Sequence, residues 1–165
     1  MRKIIMLASA SFASGILFAN IYNSLVNAAA ADANIPTSII AAREYFKSVN
    51  PGDFFKIFSP FTQLLALAAL ILFWKKSVSI RLLLAIALAC YISGDIFAFL
   101  YFHPRSDIMF VSEKLPDTET LKRLSHEWST MNWVRSFILF VGVVCSFLAI
   151  DKIYSKQVTG KQPVL

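Results

Sequence analysis

The segment NIYNSLVN, residues 20–27, places four polar side chains inside the first long apolar run: Asn20, Asn23, Ser24 and Asn27. Their spacing is i, i+3, i+4 and i+7, so on an α-helix they share one face. A buried amide without a hydrogen-bond partner costs about 4–8 kcal/mol where nothing else can hydrogen-bond. We therefore expect this face to meet protein or water, and we predict that its asparagines bind a ligand.

Two charged side chains and two histidines stand at or near the ends of later apolar runs: Asp95, His103, His126 and Arg135. An arginine one turn inside a membrane span is costly unless it is paired, and such residues mark functional sites. Asp95 is the expected partner of Arg135, because both project into the same half of the protein. Histidine titrates near neutral pH without perturbation, so His103 or His126 suits the role of a general base.

The stretch LSHEWSTMNWVRS, residues 124–136, leads into the last apolar run. Trp128, Asn132 and Arg135 are spaced i, i+4 and i+7 and therefore share a helix face. Asp117 is a suitable N-cap, so a short amphipathic helix is predicted before the last span. His126 stands on a different face, within reach of a neighbouring helix.

Each of these residues also has an ordinary structural explanation. Arg135 can extend to the lipid headgroups, and Asp95 can be a structural partner alone. The asparagines can join helices, as intramembrane amides commonly do. Trp128 and the histidines are typical of the membrane interface. A functional site is favoured because all of these residues fall at one end of the predicted protein.

The composition indicates an integral membrane protein. Of the 165 residues, 57% are hydrophobic and 16% are charged, whereas soluble domains average about 45–50% apolar and about 25% charged residues. A membrane-spanning helix needs about 20 mostly apolar residues, and the qualifying segments are 4–30, 54–74, 80–102 and 133–154. We predict an all-α fold: one four-helix membrane bundle, residues 1–154, followed by a polar cytoplasmic tail, residues 155–165.

Charge placement predicts that both termini lie in the cytoplasm. With four spans, one side of the membrane carries eight basic residues against Asp151 alone, and the other carries eight basic and eight acidic residues. Lys and Arg in short loops favour the inner side, and Lys75 and Lys76 lie in the tight turn at 75–79. We expect a bacterial inner-membrane protein whose polar residues face the periplasm. Cleavage of residues 1–30 as a signal peptide is the alternative.

The net charge of +6 does not indicate nucleic-acid binding, because the basic residues flank apolar runs. Cys90 and Cys145 fall inside apolar segments without CxxC or zinc-finger spacing, so they are predicted to be packing residues. The expected partners are the lipid bilayer and a lipophilic small molecule. A homo-oligomer is an open alternative.

The stretch HEWSTMNWVRS resembles a signature of the anthrone oxygenase-like family of small four-span membrane proteins. In that family a Trp, an Asn or His, and an Arg open the last span, as Trp128, Asn132 and Arg135 do here. The stretches SGILFANIYNSLVN, REYFKSVNPGDFFKIFSP (43–60) and HPRSDIMF (103–110) are also similar to it, although Ser106 stands where the family has Asn. The resemblance implies a four-helix bundle and oxidation of anthrones to anthraquinones, without a conventional organic cofactor.

The first functional hypothesis is a membrane oxidoreductase or oxygenase that acts on a lipophilic aromatic or quinone-like substrate. Its pocket would lie between the spans, apolar below and polar above. Arg135, with Asn23 and Asn132, would stabilise a phenolate or enolate, as preorganised donors do for developing oxyanions. Asp95 would hold Arg135 in place.

A metal variant of this hypothesis uses a set of two histidines and one carboxylate. The candidate ligands are His103, His126 and either Glu44 or Glu127. The histidines are far apart in sequence and have no tight ligand spacing. The cofactor therefore stays open between none and a bound iron or copper ion.

The second hypothesis is non-enzymatic: a small bundle that binds a lipid or a partner helix through the same polar residues. A transporter or channel is disfavoured, because the predicted spans contain no internal repeat and the inner half has no polar path. Replacement of the polar residues separates the first two hypotheses, since only a site loses function while the fold persists.

Overall fold

The computed structural model describes residues 2–159, and every regular element in that range is helical. Four helices are long and apolar enough to cross a membrane, so the predicted integral membrane protein is confirmed. We label the helices α1 (Arg2–Asp32), α2 (Thr37–Tyr45), α3 (Pro51–Leu72), α4 (Val78–Val111) and α5 (Thr118–Thr159). The short helix α2 lies between the first two membrane-spanning helices.

The four long helices pack as an antiparallel bundle, in which α1 contacts α3 and α5, and α4 also contacts α3 and α5. We call one end the turn end, because residues 73–77 join α3 to α4 there. The opposite end is the loop end, which carries the longer connections at 33–50 and 112–117. The order of the helices places Arg2 and Thr159 at the turn end.

Clusters of buried apolar side chains extend along the bundle. The turn end contains a core contributed by all four long helices: Met6, Ala69, Leu70, Phe73, Ile80, Leu84, Ala149 and Ile153. The loop end has its own cluster, which packs α2 against α5 and its neighbours: Ala31, Ile35, Ile39, Met109, Leu121 and Leu124. Because Ile39 is fully buried in that cluster, α2 is packed against the loop end of the bundle.

Gly142 permits a close approach between α4 and α5. A Cβ atom at this position would lie 2.6 Å from Cε1 of Tyr91 and 3.0 Å from Cβ of Cys90. Small residues commonly allow such approaches between helices in membranes. The hydroxyl of Tyr91 is fixed by a hydrogen bond of 2.9 Å with Oγ of Ser146.

Side-chain caps fix where α3 and α5 begin. Oδ1 of Asn50 accepts from the backbone N–H of Gly52 at 2.8 Å, and Oδ2 of Asp53 accepts from the backbone N–H of Asn50 at 3.0 Å. This reciprocal arrangement is a capping box, which satisfies donors at the helix start. Oδ1 of Asp117 accepts from the backbone N–H of Thr120 at 3.0 Å, which confirms the predicted N-cap.

Three π-helical segments lie in α1 and α4, all at the loop end: Asn23–Ala28, Ala98–Phe102 and Asp107–Val111. The sequence predicts that the third span ends at residue 102, with His103 as its cap and a turn after it. Instead the helix continues to Val111. Pro104 is tolerated because it lies at the start of the short α-helical stretch His103–Ser106, where a missing N–H costs little.

The lead-in to the last span is not a separate helix. It is continuous with the span in one helix of 42 residues, α5. Nothing in the sequence breaks it near residue 132, because the stretch from Thr118 to Thr159 contains no proline and a single glycine, Gly142. The first residues of the predicted polar tail are helical as far as Thr159, and residues 160–165 lie outside the described part of the chain.

Candidate functional site

A cavity of about 950 Å³ opens at the loop end of the bundle. All five helices contribute to its walls, and α4 and α5 supply most of the residues predicted to be functional. From α1 come Asn23 and Asn27; from α3 and α4 come Phe55, Asp95, Phe99, Phe102 and His103; from α5 come Trp128, Asn132 and Arg135. The structure therefore brings together residues that lie up to 112 positions apart in the sequence.

Arg135 is the most constrained charged residue of this cavity. Its side chain is 6% exposed, and Nη2 lies 3.4 Å from Oδ1 of Asp95, which confirms the predicted pair. Nη1 donates to Oδ1 of Asn20 at 3.0 Å. The guanidinium carbon lies 4.5 Å from the centre of the Phe55 ring, a cation–π contact. The Nε–H group of Arg135 is buried and has no hydrogen-bond partner among the described residues.

Asp95 receives hydrogen bonds on both of its carboxylate oxygens. Besides the pair with Arg135, Oδ2 accepts from Nε2 of Gln63 on α3 at 2.7 Å. The Asp95 side chain is 31% exposed and faces the cavity. It therefore links three helices at the cavity floor while it stays accessible to a ligand.

Asn20 and Asn132 join α1 to α5 behind the cavity wall. Nδ2 of Asn20 donates to Oγ of Ser136 at 2.8 Å and to the Asn132 carbonyl at 3.2 Å. Nδ2 of Asn132 donates to Oγ of Ser24 at 2.6 Å and to the Asn20 carbonyl at 3.3 Å. Asn20 is fully buried and does not line the cavity, so it reaches a ligand only through Arg135.

The single polar face predicted for α1 is divided in the structure. Asn20 and Ser24 face α5, whereas Asn23 and Asn27 line the cavity. Nδ2 of Asn27 donates to Oδ1 of Asn23 at 2.8 Å. The reason is the π-helical segment that begins at Asn23. A π-helix bonds residue i to i+5, so the side chains after Asn23 depart from α-helical positions.

Trp128 also presents an unused donor. Its Nε1–H group is buried and has no partner within residues 2–159. The ring packs edge-to-face against Phe102, with centroids 5.5 Å apart. Because an indole N–H can only donate, a ligand that satisfies it must bring an acceptor oxygen or nitrogen.

The two histidines take different positions. His103 is exposed, lines the cavity and lies with its ring centroid 5.6 Å from that of Phe99. His126 is exposed and does not belong to the cavity lining. Glu127 forms an ion pair of 3.2 Å with Arg105. In the described part of the chain, no three His, Cys, Asp or Glu side chains are grouped to hold a metal ion. The set of His103, His126 and Glu44 or Glu127 is therefore not assembled.

Charged residues of α2 and α3 form the rim of the cavity. Lys47 lies 3.8 Å from Glu44, and both side chains are largely exposed. Lys56 pairs with Asp53 at 2.9 Å. Arg43 donates to the carbonyl of Ser112 and so connects α2 to the end of α4. The rim is thus mixed in charge, whereas the unpaired donors lie deeper in the cavity.

Sequence reasoning missed three contributors to this site. Gln63 bonds Asp95, Ser136 bonds Asn20, and Phe55 covers the Arg135 guanidinium. Gln63 carried a usable signal, because it is the one amide in the span predicted at 54–74. Ser136 and Phe55 carried none, since serine and phenylalanine are common in membrane helices.

This arrangement can bind an oxygen-bearing aromatic ligand. The phenylalanines supply flat apolar surfaces, and Arg135 and Trp128, whose Nε–H and Nε1–H groups have no partner among the described residues, supply donors in the lining. Fixed donors of this kind stabilise negative charge that develops on an oxygen. The imidazole of His103 lines the same cavity and offers a ring nitrogen as a hydrogen-bond acceptor.

Comparison with known proteins gives one family. The family model described as anthrone oxygenase matches residues 53–145, which is more than half of the chain. The matched region contains α3 from its third residue, all of α4 and residues 118–145 of α5. It includes Asp95, Trp128, Asn132 and Arg135. The asparagines of α1 lie outside it. No curated protein and no solved structure matches the chain.

Proposed function

The chain belongs to the anthrone oxygenase family, and from this premise we propose that it is an oxidoreductase of the oxygenase type, acting on a lipophilic aromatic or quinone-like substrate. The proposed site is the loop-end cavity. Its volume of about 950 Å³ falls within the range of roughly 300–1,000 Å³ that is usual for small-molecule sites. Such a substrate dissolves in the bilayer and reaches the cavity from the membrane.

The observation that carries this proposal is the unpartnered Nε–H of a buried Arg135 in the cavity wall. In the proposed complex it donates to the ring oxygen of the substrate, together with Nε1–H of Trp128. Asp95 and Asn20 hold the guanidinium from behind, at 3.4 and 3.0 Å. Asn23 lies beside them in the lining and adds an amide to this polar surface, whereas the Nδ2 group of Asn132 is engaged by Ser24 and the Asn20 carbonyl.

His103 is the general base of the proposed reaction, because it is the histidine that lines the cavity. It removes a proton from the ring carbon that lies opposite the bound oxygen, and the negative charge moves to that oxygen. Dioxygen then oxidises the electron-rich ring: the methylene carbon becomes a carbonyl, and the other product is water. His126 is the second candidate base and would need to approach the cavity first.

The cofactor of the proposed reaction has two alternatives, direct reaction with dioxygen or a bound iron or copper ion. His103 and Glu44 both line the cavity, but the described residues do not form a group of three ligands. Metal analysis of the purified protein separates these alternatives. Stoichiometric iron or copper that is lost in His103→Ala would establish the metal reaction.

For the orientation we propose that both termini lie in the cytoplasm of a bacterium and that the cavity faces the periplasm. The support is the excess of basic residues in the terminal segments and in the turn that contains Lys75 and Lys76. The test is a pair of reporter fusions at residue 165, one active only in the cytoplasm and one only in the periplasm. Activity of the periplasmic reporter would reverse the proposed orientation.

The test of the proposed function is oxidation of an anthrone by the protein in lipid nanodiscs, followed by quinone absorbance and oxygen uptake. Arg135→Gln is expected to lower turnover by about 10²–10³-fold, the usual effect of removing one oxyanion donor. Arg123→Gln is the matched control, because Arg123 is an exposed arginine of the same helix. Full turnover in Arg135→Gln, or no turnover in the unmodified protein with several anthrones, would refute the proposal.

The second candidate is a non-enzymatic protein that binds a lipid or a partner helix. It is favoured by the bonds between Asn20 and Asn132, which are spent on joining α1 to α5. The two candidates differ in Arg135→Gln. In an enzyme the unmodified protein oxidises an anthrone and Arg135→Gln lowers the turnover of the folded fraction, whereas in a purely structural role Arg135→Gln only loses stability and neither protein oxidises an anthrone.

A further inference from the structure

The loop-end cavity opens on the side of α3 and α4. Its lining residues from α1 and α5 are all buried or half-buried, whereas its exposed lining residues come from α2, α3, α4 and the connection between α2 and α3. Two of these exposed residues are apolar and lie inside predicted spans: Pro60 of α3 and Phe99 of α4. The mouth of the cavity is therefore the gap between α3 and α4, which α2 borders at the loop end.

A hydrogen bond between α3 and α4 closes this gap on the side of the turn end. Nε2 of Gln63 donates to Oδ2 of Asp95 at 2.7 Å. Pro60 precedes Gln63 by about one turn and Phe99 follows Asp95 by about one turn, so on these antiparallel helices both lie on the loop-end side of the bond. Beyond Phe97 the main neighbours of α4 on other helices are α2 and α5 rather than α3. The two helices therefore separate from this bond towards the loop end.

Pro60 and Phe99 lie at the depth of the lipid chains. They belong to the apolar segments 54–74 and 80–102, which are parts of helices long and apolar enough to cross a membrane. Phe99 is 68% exposed although it lines the cavity, so its ring stands between the cavity and the surroundings. The charged rim residues Glu44 and Lys47 belong to α2 and the connection after it. The gap between Pro60 and Phe99 therefore faces hydrocarbon, whereas the rim faces water.

We propose that the cavity receives its ligand sideways from the hydrocarbon layer, through the gap between Pro60 and Phe99, and that Phe99 controls how fast flat aromatic molecules pass. This inference rests on the proposed binding of a lipophilic aromatic ligand in the cavity, but it does not depend on oxidation of that ligand. A molecule that enters through the gap keeps its rings out of water throughout, and exposure of apolar surface to water is unfavourable. Entry over the rim would require the ligand to leave the bilayer first.

The test measures binding of 2-methylanthraquinone to the protein in lipid nanodiscs, through quenching of the fluorescence of Trp128 in the cavity lining. The background Trp74→Phe/Trp133→Phe removes the other two tryptophans, both of which are exposed. Anthraquinone-2-sulfonate is the matched probe, because its charge keeps it in water and restricts it to the rim. Phe99→Ala widens the gap. Leu100→Ala is the matched control, because Leu100 is also 68% exposed and does not line the cavity.

Phe99→Ala is expected to raise the association and dissociation rates of 2-methylanthraquinone several-fold and by the same factor, because a residue at an entrance affects passage in both directions. The dissociation constant then stays nearly constant. The rates of anthraquinone-2-sulfonate should not change, and Leu100→Ala should behave like the unmodified protein. Since Phe99 is exposed, its truncation leaves no void in the interior, and Phe99→Leu should give an intermediate acceleration.

Three kinetic outcomes would overturn the proposal: unchanged rates in Phe99→Ala, equal acceleration of both probes, or a rise in the dissociation rate alone, which would make Phe99 only a contact of the bound ligand. Absence of any binding of 2-methylanthraquinone would overturn it as well. The proposed function fails separately. Binding with the expected kinetics but no oxidation of any anthrone refutes the oxidation and leaves the entrance, whereas oxidation with unchanged entry rates in Phe99→Ala refutes the entrance alone.

Discussion

The two ends of this bundle are built from the same four helices but in opposite ways. At the turn end the interior is filled by apolar side chains such as Leu84 and Ile153. At the loop end the interior contains a buried arginine, three buried asparagines and a large cavity. Buried polar groups are costly unless they are hydrogen-bonded. A bundle that needed only stability would therefore be expected to have an apolar interior at both ends.

The backbone also differs between the two ends, because its irregular turns lie at the loop end. The π-helical segments Asn23–Ala28, Ala98–Phe102 and Asp107–Val111 all lie at the loop end, and residues from each of them line the cavity. Irregular helical turns are tolerated where they serve a site. The difference teaches that the turn end is built for apolar packing, whereas the loop end combines irregular helical turns and buried polar groups around a cavity.

The largest effect is expected from Asp95→Ala, which leaves Arg135 charged and unpaired in the loop-end interior. Breaking a buried pair costs about 3–5 kcal/mol in free energy of unfolding. The measurement is reversible unfolding in mixed micelles. Glu44→Ala, which breaks the exposed pair with Lys47, is the matched control and is expected to change little.

The double variant Asp95→Ala/Arg135→Met sharpens this comparison. Removing both charges is expected to restore most of the lost stability, because a buried pair replaced by apolar residues is often neutral. If the double variant is as unstable as Asp95→Ala alone, the charge of Arg135 is not the cause, and the contrast between the two ends is smaller than described.

A smaller effect is expected from Gly142→Ala, at the contact between α4 and α5. The added methyl group would lie 2.6 Å from the Tyr91 ring, and such overpacking costs about 1–3 kcal/mol. Gly15→Ala is the matched control, because nothing lies within 4 Å of its added Cβ atom. Gly15→Ala should be neutral or stabilising. Equal unfolding curves for the two variants would contradict the close approach.

The polar residues of α1 should differ among themselves. Asn20→Ala removes bonds to Ser136 and Arg135, and intramembrane hydrogen bonds are worth about 0.6 and at most about 1.7 kcal/mol each. Asn27→Ala removes one bond to Asn23 at the cavity wall. We expect unfolding to be affected more by Asn20→Ala, and ligand binding more by Asn27→Ala. The reverse order would contradict the division of these residues into one group that joins helices and one that lines the cavity.

The smallest effect concerns the start of α5. Hydrogen bonds from the backbone N–H groups of Thr120 and Glu119 lower the pKa of Asp117 below its ordinary value. A depressed pKa means that the cap contributes stability above the unfolded pKa and loses it as the pH falls through the folded pKa. The protection of the amides of residues 118–121 against hydrogen exchange, taken relative to the intrinsic exchange rate at each pH, should therefore fall in acid. In Asp117→Asn, which caps without titrating, this loss of protection should disappear.

The turn end could be predicted almost completely from the sequence, because apolar runs of about 20 residues define spans. At the loop end only part of the structure could be predicted from the sequence. The pairing of Asp95 with Arg135 followed from the cost of an isolated charge. The π-helical register of Asn23–Ala28 did not follow, since residues that form π-turns have no composition of their own.

The sequence patterns also did not predict that α4 continues past Pro104, or that the lead-in and the last span form one helix. In both cases the helix extends beyond the apolar run at the loop end, where polar residues obscure the hydrophobic periodicity. His126 illustrates the consequence for the site. It was expected on a different face from Trp128, within reach of a neighbouring helix, and in the structure it is exposed and outside the cavity lining.

Helix α5 spans 42 residues without a break, which corresponds to about 63 Å at 1.5 Å per residue. The hydrocarbon layer is about 30 Å thick, so roughly half of this rod stands outside it. A rod without a hinge turns as a whole, and spanning helices adjust their tilt to the thickness of the bilayer. The helix α5 carries three residues of the cavity lining: Trp128, Asn132 and Arg135. We therefore expect the width of the cavity to change with the thickness of the surrounding membrane.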